Sequence, residues 1–590
     1  MVYRVFPLFA LVLLMTSHAH GAAPAEAVVQ LHALFDSAWE QDLRDDPRAA
    51  TQLGDKRFNA SWGDQSPAAW AQRNRTFEAT LQTLARIDPK TLPPDEQLNH
   101  EMFRRLYRNR IDLYAYHAQQ RALDQLNYSN GVLTANELGE VIDFATLRDY
   151  QDWISRLQGM GAYVDQTIEV LREGIRAKNT QPRIIVERAR KQLQAQLVAD
   201  PALSPFYAPL MKFPDGIAAE QRVQLQKDAQ GAIRTTVIPA FQRLQSFIDR
   251  DYLPAARSTV GIWDTPQGDA FYRNRVQWFT TTNLSPEEIH AIGLQEVARI
   301  RTGMEKIIAQ VNFKGSFAEF LAYLRTDAKF RYQKGEELLQ AYMVMAKRID
   351  PLLPEFFGKL PRTPYGVRPI PPANAPDTTT AYYQPLSADG KRPGYYYVNL
   401  YRPEERPIYE IAVLTTHEAV PGHHLQQAIA KEMGELPNFR RDFEATAYVE
   451  GWGLYAESLG DEMGLYADPY DKFGQLTYEM WRAVRLVIDT GMHAKHWTRA
   501  QAIDYFKANA AKSELDIVNE VDRYIAWPGQ ATAYKIGELK IQELRRRATD
   551  QLGDKFDLRS FHDTVLASGA VPLDVLEGNI DAWIAGRKAK

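Results

Sequence analysis

Cysteine is absent from all 590 residues. That excludes disulfides, thiolate metal sites, a cysteine nucleophile and a lipid anchor joined through cysteine. Long hydrophobic runs are missing too. Residues 6–15 are apolar but fall far short of the roughly 20 residues that a membrane span needs. They follow Arg4 and precede the small and polar residues 17–23, so residues 1–21 read as a cleaved secretory leader. Such a chain is expected in a periplasm or outside the cell, without stable membrane insertion and held together by packing alone. Charge of one sign is also scarce. The formal net charge is −4, which gives no drive toward nucleic acid or anionic lipid. No glycine-rich phosphate loop follows a strand and no nucleophile elbow occurs, so nucleotide and serine-hydrolase chemistry lack support.

Strand-like alternation is rare, and helical periodicity dominates. Apolar residues recur at spacings of three and four, as in Leu31, Leu34, Phe35 and Trp39, or Tyr163, Ile168, Leu171 and Ile175. Ser285-Pro286-Glu287-Glu288 has the form of a helix start. Residues 22–350 are therefore expected to form an N-terminal helical lobe. Residues 351–376, rich in proline, read as an extended crossover. Residues 377–590 make a second helical lobe with a small β element, since Ala381-Tyr382-Tyr383 and Gly394-Tyr395-Tyr396-Tyr397-Val398 carry the strand and hairpin signal. The fold class is mainly α.

Histidine is uncommon, with 12 in the chain, yet three fall between positions 417 and 424 in His417-Glu418-Ala419-Val420-Pro421-Gly422-His423-His424. Imidazole is the commonest metal ligand, and His-Glu followed by a further His places two zinc ligands beside a general base. The usual spacing is four residues, one helical turn. On an unbroken helix His424 would share the face of His417 but lie about 10 Å further along, and His423 would point elsewhere. Pro421 and Gly422 intervene, however. Proline removes a backbone donor, glycine permits unusual dihedrals, and Val420 is pushed away from helical angles. A break there brings a later imidazole back beside His417. The Gly-His pair favours His423, with His424 as the alternative. Glu450, on a second helical segment over residues 443–458, completes a two-His, one-Glu site with an open position. Glu457 and Glu444 are alternatives to it. One zinc ion is expected. Glu418 is the expected base, taking a proton from the attacking water and delivering it to the leaving amine.

These residues, with Glu450-Gly451-Trp452, Trp481-Arg482-Ala483-Val484-Arg485-Leu486, Asp489, His493, Trp527-Pro528-Gly529-Gln530 and Tyr534-Lys535-Ile536-Gly537, resemble the bacterial domain of unknown function 885 family. That family is similar to the helical gluzincin peptidases, the neurolysin and angiotensin-converting-enzyme group. The resemblance implies a two-lobed helical body with a deep channel and zinc at its base. It also implies His417, His423 or His424, and Glu450 as ligands, with Glu418 as base.

Further residues are candidates by chemistry. Residues 395–400, with Tyr397 and Asn399, read as an exposed edge strand able to pair with an extended peptide. Tyr534 is the first choice for an oxyanion donor and His493 the second, with Asp489 four residues before His493 to fix its tautomer. Arg482, Arg485, Arg523 and Lys535 are candidates for gripping a substrate carboxylate. The leading expectation is an exported zinc peptidase acting on short peptides. A metal-dependent amidase of non-peptide amides and a non-catalytic peptide-binding protein are the alternatives. Oligomeric state is not legible.

Overall fold

Helix-forming periodicity is realised almost everywhere in the computed structural model, which describes residues 19–126, 131–372, 375, 379–386 and 392–589. The expected leader, residues 1–21, lies outside the described residues but for its last three. Among the described residues, no helix is long and apolar enough to cross a membrane.

The helix α1 (Leu147–Arg176) shows how the pattern works. It buries Tyr150, Trp153, Leu157, Met160, Val164 and Leu171, a stripe at spacings of three, four and seven. Thr146 and Asp149 close its start with a reciprocal capping box. The predicted start at Ser285 is also present. In α2 (Pro286–Gln310) the Ser285 hydroxyl accepts from the Glu288 N–H at 3.2 Å, and Glu288 accepts from the Ser285 N–H at 2.8 Å.

The β element is a three-stranded sheet in the order β1-β3-β2, made of β1 (Tyr365–Pro369), β2 (Ala381–Gln384) and β3 (Gly394–Val398). β2 and β3 pair antiparallel, with Tyr382 opposite Tyr397, and β1 joins β3 in parallel. Alternation puts Tyr396 and Val398 in the core and leaves Tyr395 and Tyr397 half-buried on the other face. The expectation of an exposed edge at residues 395–400 is therefore corrected. β3 is the central strand, its backbone hydrogen bonds shared with both neighbours, so it has no free edge for a peptide. Tyr397 stacks on Tyr382 at 5.0 Å. Asn399 is buried, donating to the carbonyls of Ala375 at 2.8 Å and Thr379 at 3.1 Å, and serves the chain rather than a substrate.

Three apolar cores hold the molecule. One lies wholly between Trp62 and Tyr252. The other two draw on both sides of residue 350. One joins Leu31, Phe103 and Tyr272 to Trp452, Leu544 and Phe561. The other joins Ile300, Met304 and Phe320 to Met480, Val484 and Tyr524. The division of the sequence at 350 is thus not a division of packing. The long helix α2 lies along a C-terminal helix, and a Cβ on its Gly293 would sit 2.7 Å from that of Leu486.

Candidate metal centre

The helix α3 (Ile411–Glu418) is buried from Ile411 through His417 and ends at Glu418. Ala419 leaves helical angles at φ −97°, ψ −105°, the Val420–Pro421 bond is cis, and Gly422 has φ −77°, ψ −127°. A new helix, α4 (His423–Lys431), begins at once. The turn folds back on the end of α3 so closely that a Cβ on Gly422 would lie 1.9 Å from the His417 carbonyl oxygen. Only glycine fits there. The Trp452 indole N–H donates to the Pro421 carbonyl at 2.8 Å and pins the turn to α5 (Thr446–Glu462). That helix carries Glu450. Its Gly453 lets the His417 ring lie flat against it, since a Cβ there would come within 2.7 Å of the imidazole.

The result is convergence. His417 Nε2 lies 3.7 Å and His423 Nε2 3.6 Å from Glu450 Oε2, and one ligand atom from each of the three residues falls within 4.8 Å of the others. The two rings stand nearly perpendicular, at 86° and 4.7 Å between centroids. Tetrahedral zinc with bonds of about 2.0–2.2 Å holds its ligand atoms roughly 3.4 Å apart. The two contacts to Glu450 lie within a few tenths of an ångström of that spacing, the third pair lies within 4.8 Å, and a two-His, one-Glu set leaves one position open.

The protonation pattern suits a cation. His417 Nδ1 lies 2.7 Å from Glu457 Oε1, to which its N–H donates, so Nε2 is the nitrogen that faces Glu450 and His423. Glu457 is buried on α5 and lies 3.4 Å from Arg482, on α6 (Pro469–Ala494). Burial alone would lift the Glu450 carboxyl, but hydrogen bonding to His417 and His423 holds it well below the usual carboxylate range. Burial likewise presses His417 down, while Glu450 and Glu457 raise it to about 9. Two carboxylates thus face the two imidazoles, Glu450 toward both and Glu457 behind His417. Glu418, half-buried at the end of α3, has no hydrogen-bond or ion-pair partner among the described residues.

Other candidates go elsewhere. His424 is not a ligand. Its Nδ1 accepts from the Tyr383 hydroxyl at 2.9 Å, and its Nε2–H donates to the Thr363 carbonyl at 3.2 Å. Both nitrogens are spent tying α4 to the sheet, and burial pushes the imidazole down to about 4. His493 is corrected for the same reason. Its Nδ1 accepts from the Ile262 N–H and its Nε2–H donates to the Tyr524 carbonyl, each at 3.0 Å. Asp489 does not orient it, but accepts from the Tyr272 hydroxyl at 2.5 Å and the Gly529 N–H at 3.1 Å. Lys535 is fully buried among Glu479, Glu538 and Glu296, at 2.8, 2.6 and 3.0 Å, and cannot reach a substrate. Arg485 and Arg523 share Glu520 as partner, at 3.0 and 3.6 Å. Tyr534, on α7 (Ala533–Leu552), accepts from Arg523 at 3.2 Å. The sequence reading weighed Glu457 as a ligand and missed its part as the partner of His417. Its place seven residues after Glu450, on the same helix face, was the available signal.

Cavities of about 440, 820 and 210 Å³ adjoin one another around Trp278, which lines all three. None includes His417, His423 or Glu450 in its wall. The 820 and 210 Å³ cavities are lined by Glu444, whose carboxyl is raised by burial and by the charge of Glu450.

The sequence matches, over residues 47–580, the family described as "Bacterial protein of unknown function (DUF885)". No curated protein matches it. A crystal structure of a "putative lipoprotein" from Colwellia psychrerythraea superposes with a TM-score of 0.87 at 31% identity, covering 95% of this chain and 99% of that one. A "putative lipoprotein of unknown function" from Shewanella oneidensis gives 0.75 at 17% identity, covering 94% and 99%, a likeness of fold alone. Those descriptions run against the expectation, drawn from the lack of cysteine, that no lipid anchor is joined through cysteine.

Proposed function

We propose that this chain, which belongs to the bacterial DUF885 family, is an exported zinc-dependent hydrolase that cleaves amide bonds of short peptides in the manner of helical gluzincin peptidases. The observation that carries the reading is the convergence of His417, His423 and Glu450 from two helices and a sharp turn, with an unpartnered Glu418 beside the first of them. The lipoprotein description of the neighbour that is 31% identical supports a location outside the cytoplasm.

Zinc bound there would supply Lewis acidity and lower the pKa of a coordinated water toward neutral pH. His417, His423 and Glu450 would hold it, and Glu457 fixes the His417 tautomer. Glu418 takes the proton of the attacking water and returns it to the leaving amine. Its lack of a competing partner leaves both oxygens available for that exchange. Tyr534 is the nearest candidate in kind for an oxyanion donor, since its own hydroxyl hydrogen has no acceptor among the described residues.

Metal analysis of the purified protein, with digestion of a peptide library, tests the reading. About one zinc per chain is expected. Glu418→Gln should keep the metal and lower kcat by about 10²–10⁴-fold. Full activity in Glu418→Gln removes the base assignment. Turnover of non-peptide amides without peptide cleavage moves the reading to an amidase.

A further inference from the structure

The 440 Å³ cavity lies away from the metal centre, between the helices Pro94–Ala115 and Gly268–Thr280 and the segment 525–528. Its walls are apolar and strongly aromatic, with Trp70, Phe77, Phe271, Trp278, Phe279 and Trp527 among them. Three arginines are set into those walls. Arg110 is neutralised by Asp42, which accepts from its Nη1 at 2.7 and 2.8 Å. The other two are not neutralised. Arg121 donates to the side-chain oxygen of Asn179. Arg275 donates to those of Asn109, at 2.5 Å, and Asn274, at 3.1 Å. Amide oxygens satisfy N–H groups but bring no counter-charge. Neither guanidinium has an ion-pair partner among the described residues, although Arg121 is only 6% and Arg275 only 5% exposed. Asp124, the acid in the lining, accepts from the Leu126 N–H at 2.8 Å.

Both cations face one ring. The guanidinium carbons of Arg121 and Arg275 lie 4.5 and 5.6 Å from the Phe271 centroid. Burial pushes Arg121 down to about 9, with the charges of Arg257 and Arg275 adding to it, and pushes Arg275 down to about 10 against the partial offset of Asp112. A buried arginine without a carboxylate is costly, and an anion arriving from solution removes the cost. The volume is that of a small-molecule site, and the aromatic walls call for an organic body behind the anion.

We infer that this cavity binds a carboxylate carried on an aromatic or branched apolar body, the chemistry of a peptide C-terminus ending in a bulky residue, with Arg121 and Arg275 taking the carboxylate. The assignment concerns binding and stands apart from the metal reading.

N-Acetylphenylalanine, its amide and inorganic phosphate serve as probes on the full chain. Calorimetry and tryptophan fluorescence report binding, since Trp70, Trp278 and Trp527 line the cavity. The acid is expected to bind at least about tenfold more tightly than the amide or phosphate, because the charge-assisted bonds are lost without a carboxylate and the apolar contacts without a ring. Arg121→Gln and Arg275→Gln should each weaken the acid by about tenfold or more, and His423→Ala should leave it unchanged. Ala118→Phe, at a half-buried wall position, should block binding without touching either guanidinium. Equal binding of acid and amide, or undiminished binding in Ala118→Phe, overturns the inference. Phosphate binding as tightly as the acid overturns the apolar half of it. Loss of binding in His423→Ala would move the probe to the metal centre.

Discussion

His417 and Glu457 form a carboxylate–imidazole pair, 2.7 Å from Nδ1 to Oε1, behind the face that His417 turns toward Glu450. Both members are almost completely buried. The carboxylate locks one tautomer and raises the basicity of the nitrogen opposite. Glu457→Gln should therefore lower zinc affinity about 10–100-fold with the fold retained. A chelator-competition titration beside a circular dichroism spectrum checks this. Unchanged affinity would reduce Glu457 to a structural residue.

The two adjacent imidazoles of α4 should separate cleanly on substitution. His423→Ala removes one of three donors and should abolish stoichiometric zinc. His424→Gln should leave zinc affinity within about threefold, and lower stability by about 1–3 kcal/mol through the bonds to Tyr383 and Thr363. Metal content and thermal unfolding of the two variants read both outcomes. Zinc lost from His424→Gln and kept by His423→Ala would reverse the ligand assignment.

Two glycines shape the centre by absence of a side chain. Gly422→Ala places a methyl group on the His417 carbonyl and should cost on the order of 2–4 kcal/mol together with metal binding. Gly453→Ala meets the imidazole first, at 2.7 Å, so it should weaken zinc by about tenfold or more with a smaller fall in Tm. Calorimetric unfolding with and without zinc separates the two.

Acid should unfold the chain partly through histidines that are buried neutral. His493, pushed down to about 3, and His562, pushed down to about 4, both by burial, have lowered folded-state values. His562 gives its Nδ1–H to the Phe356 carbonyl and takes the Tyr455 hydroxyl on Nε2. The unfolded chain protonates them near 6.5, and the folded chain only well below that. Stability therefore falls as pH drops from about 6.5, and the loss levels off near 3–4. Each histidine contributes a slope of about 1.4 kcal/mol per pH unit within that window. Denaturant unfolding at pH 7, 6, 5 and 4 should show a shallower decline in His562→Gln than in the parent. Parallel declines would mean that the ring is not neutral in the folded state.

Much of the centre was legible as chemistry before it was legible as geometry. His417, Glu418 and Glu450 were named from residue type and spacing, and the break at Pro421-Gly422 from backbone sterics. The Gly-His pair favoured His423 and left His424 open, because the answer depends on where α4 starts and which way its first turn faces. Asp489 and His493 illustrate the same limit. Their spacing of four puts them on one helix face, yet each buried group found a closer partner in another element. β1 was hidden because its five residues lie within a proline-rich stretch, and a parallel pairing has no local signal.

Local patterning alone was enough for a helical chain without disulfides, a short hairpin, and the naming of His417, Glu418 and Glu450, because periodicity and side-chain chemistry are local properties. Tertiary structure decided which imidazole meets Glu450, that Glu457 stands behind His417, that β3 is central, and that Arg121 and Arg275 face one aromatic ring. Those are contacts between distant segments, fixed by how buried faces pack and by the need of each buried polar group for a partner, and no spacing along the chain encodes them.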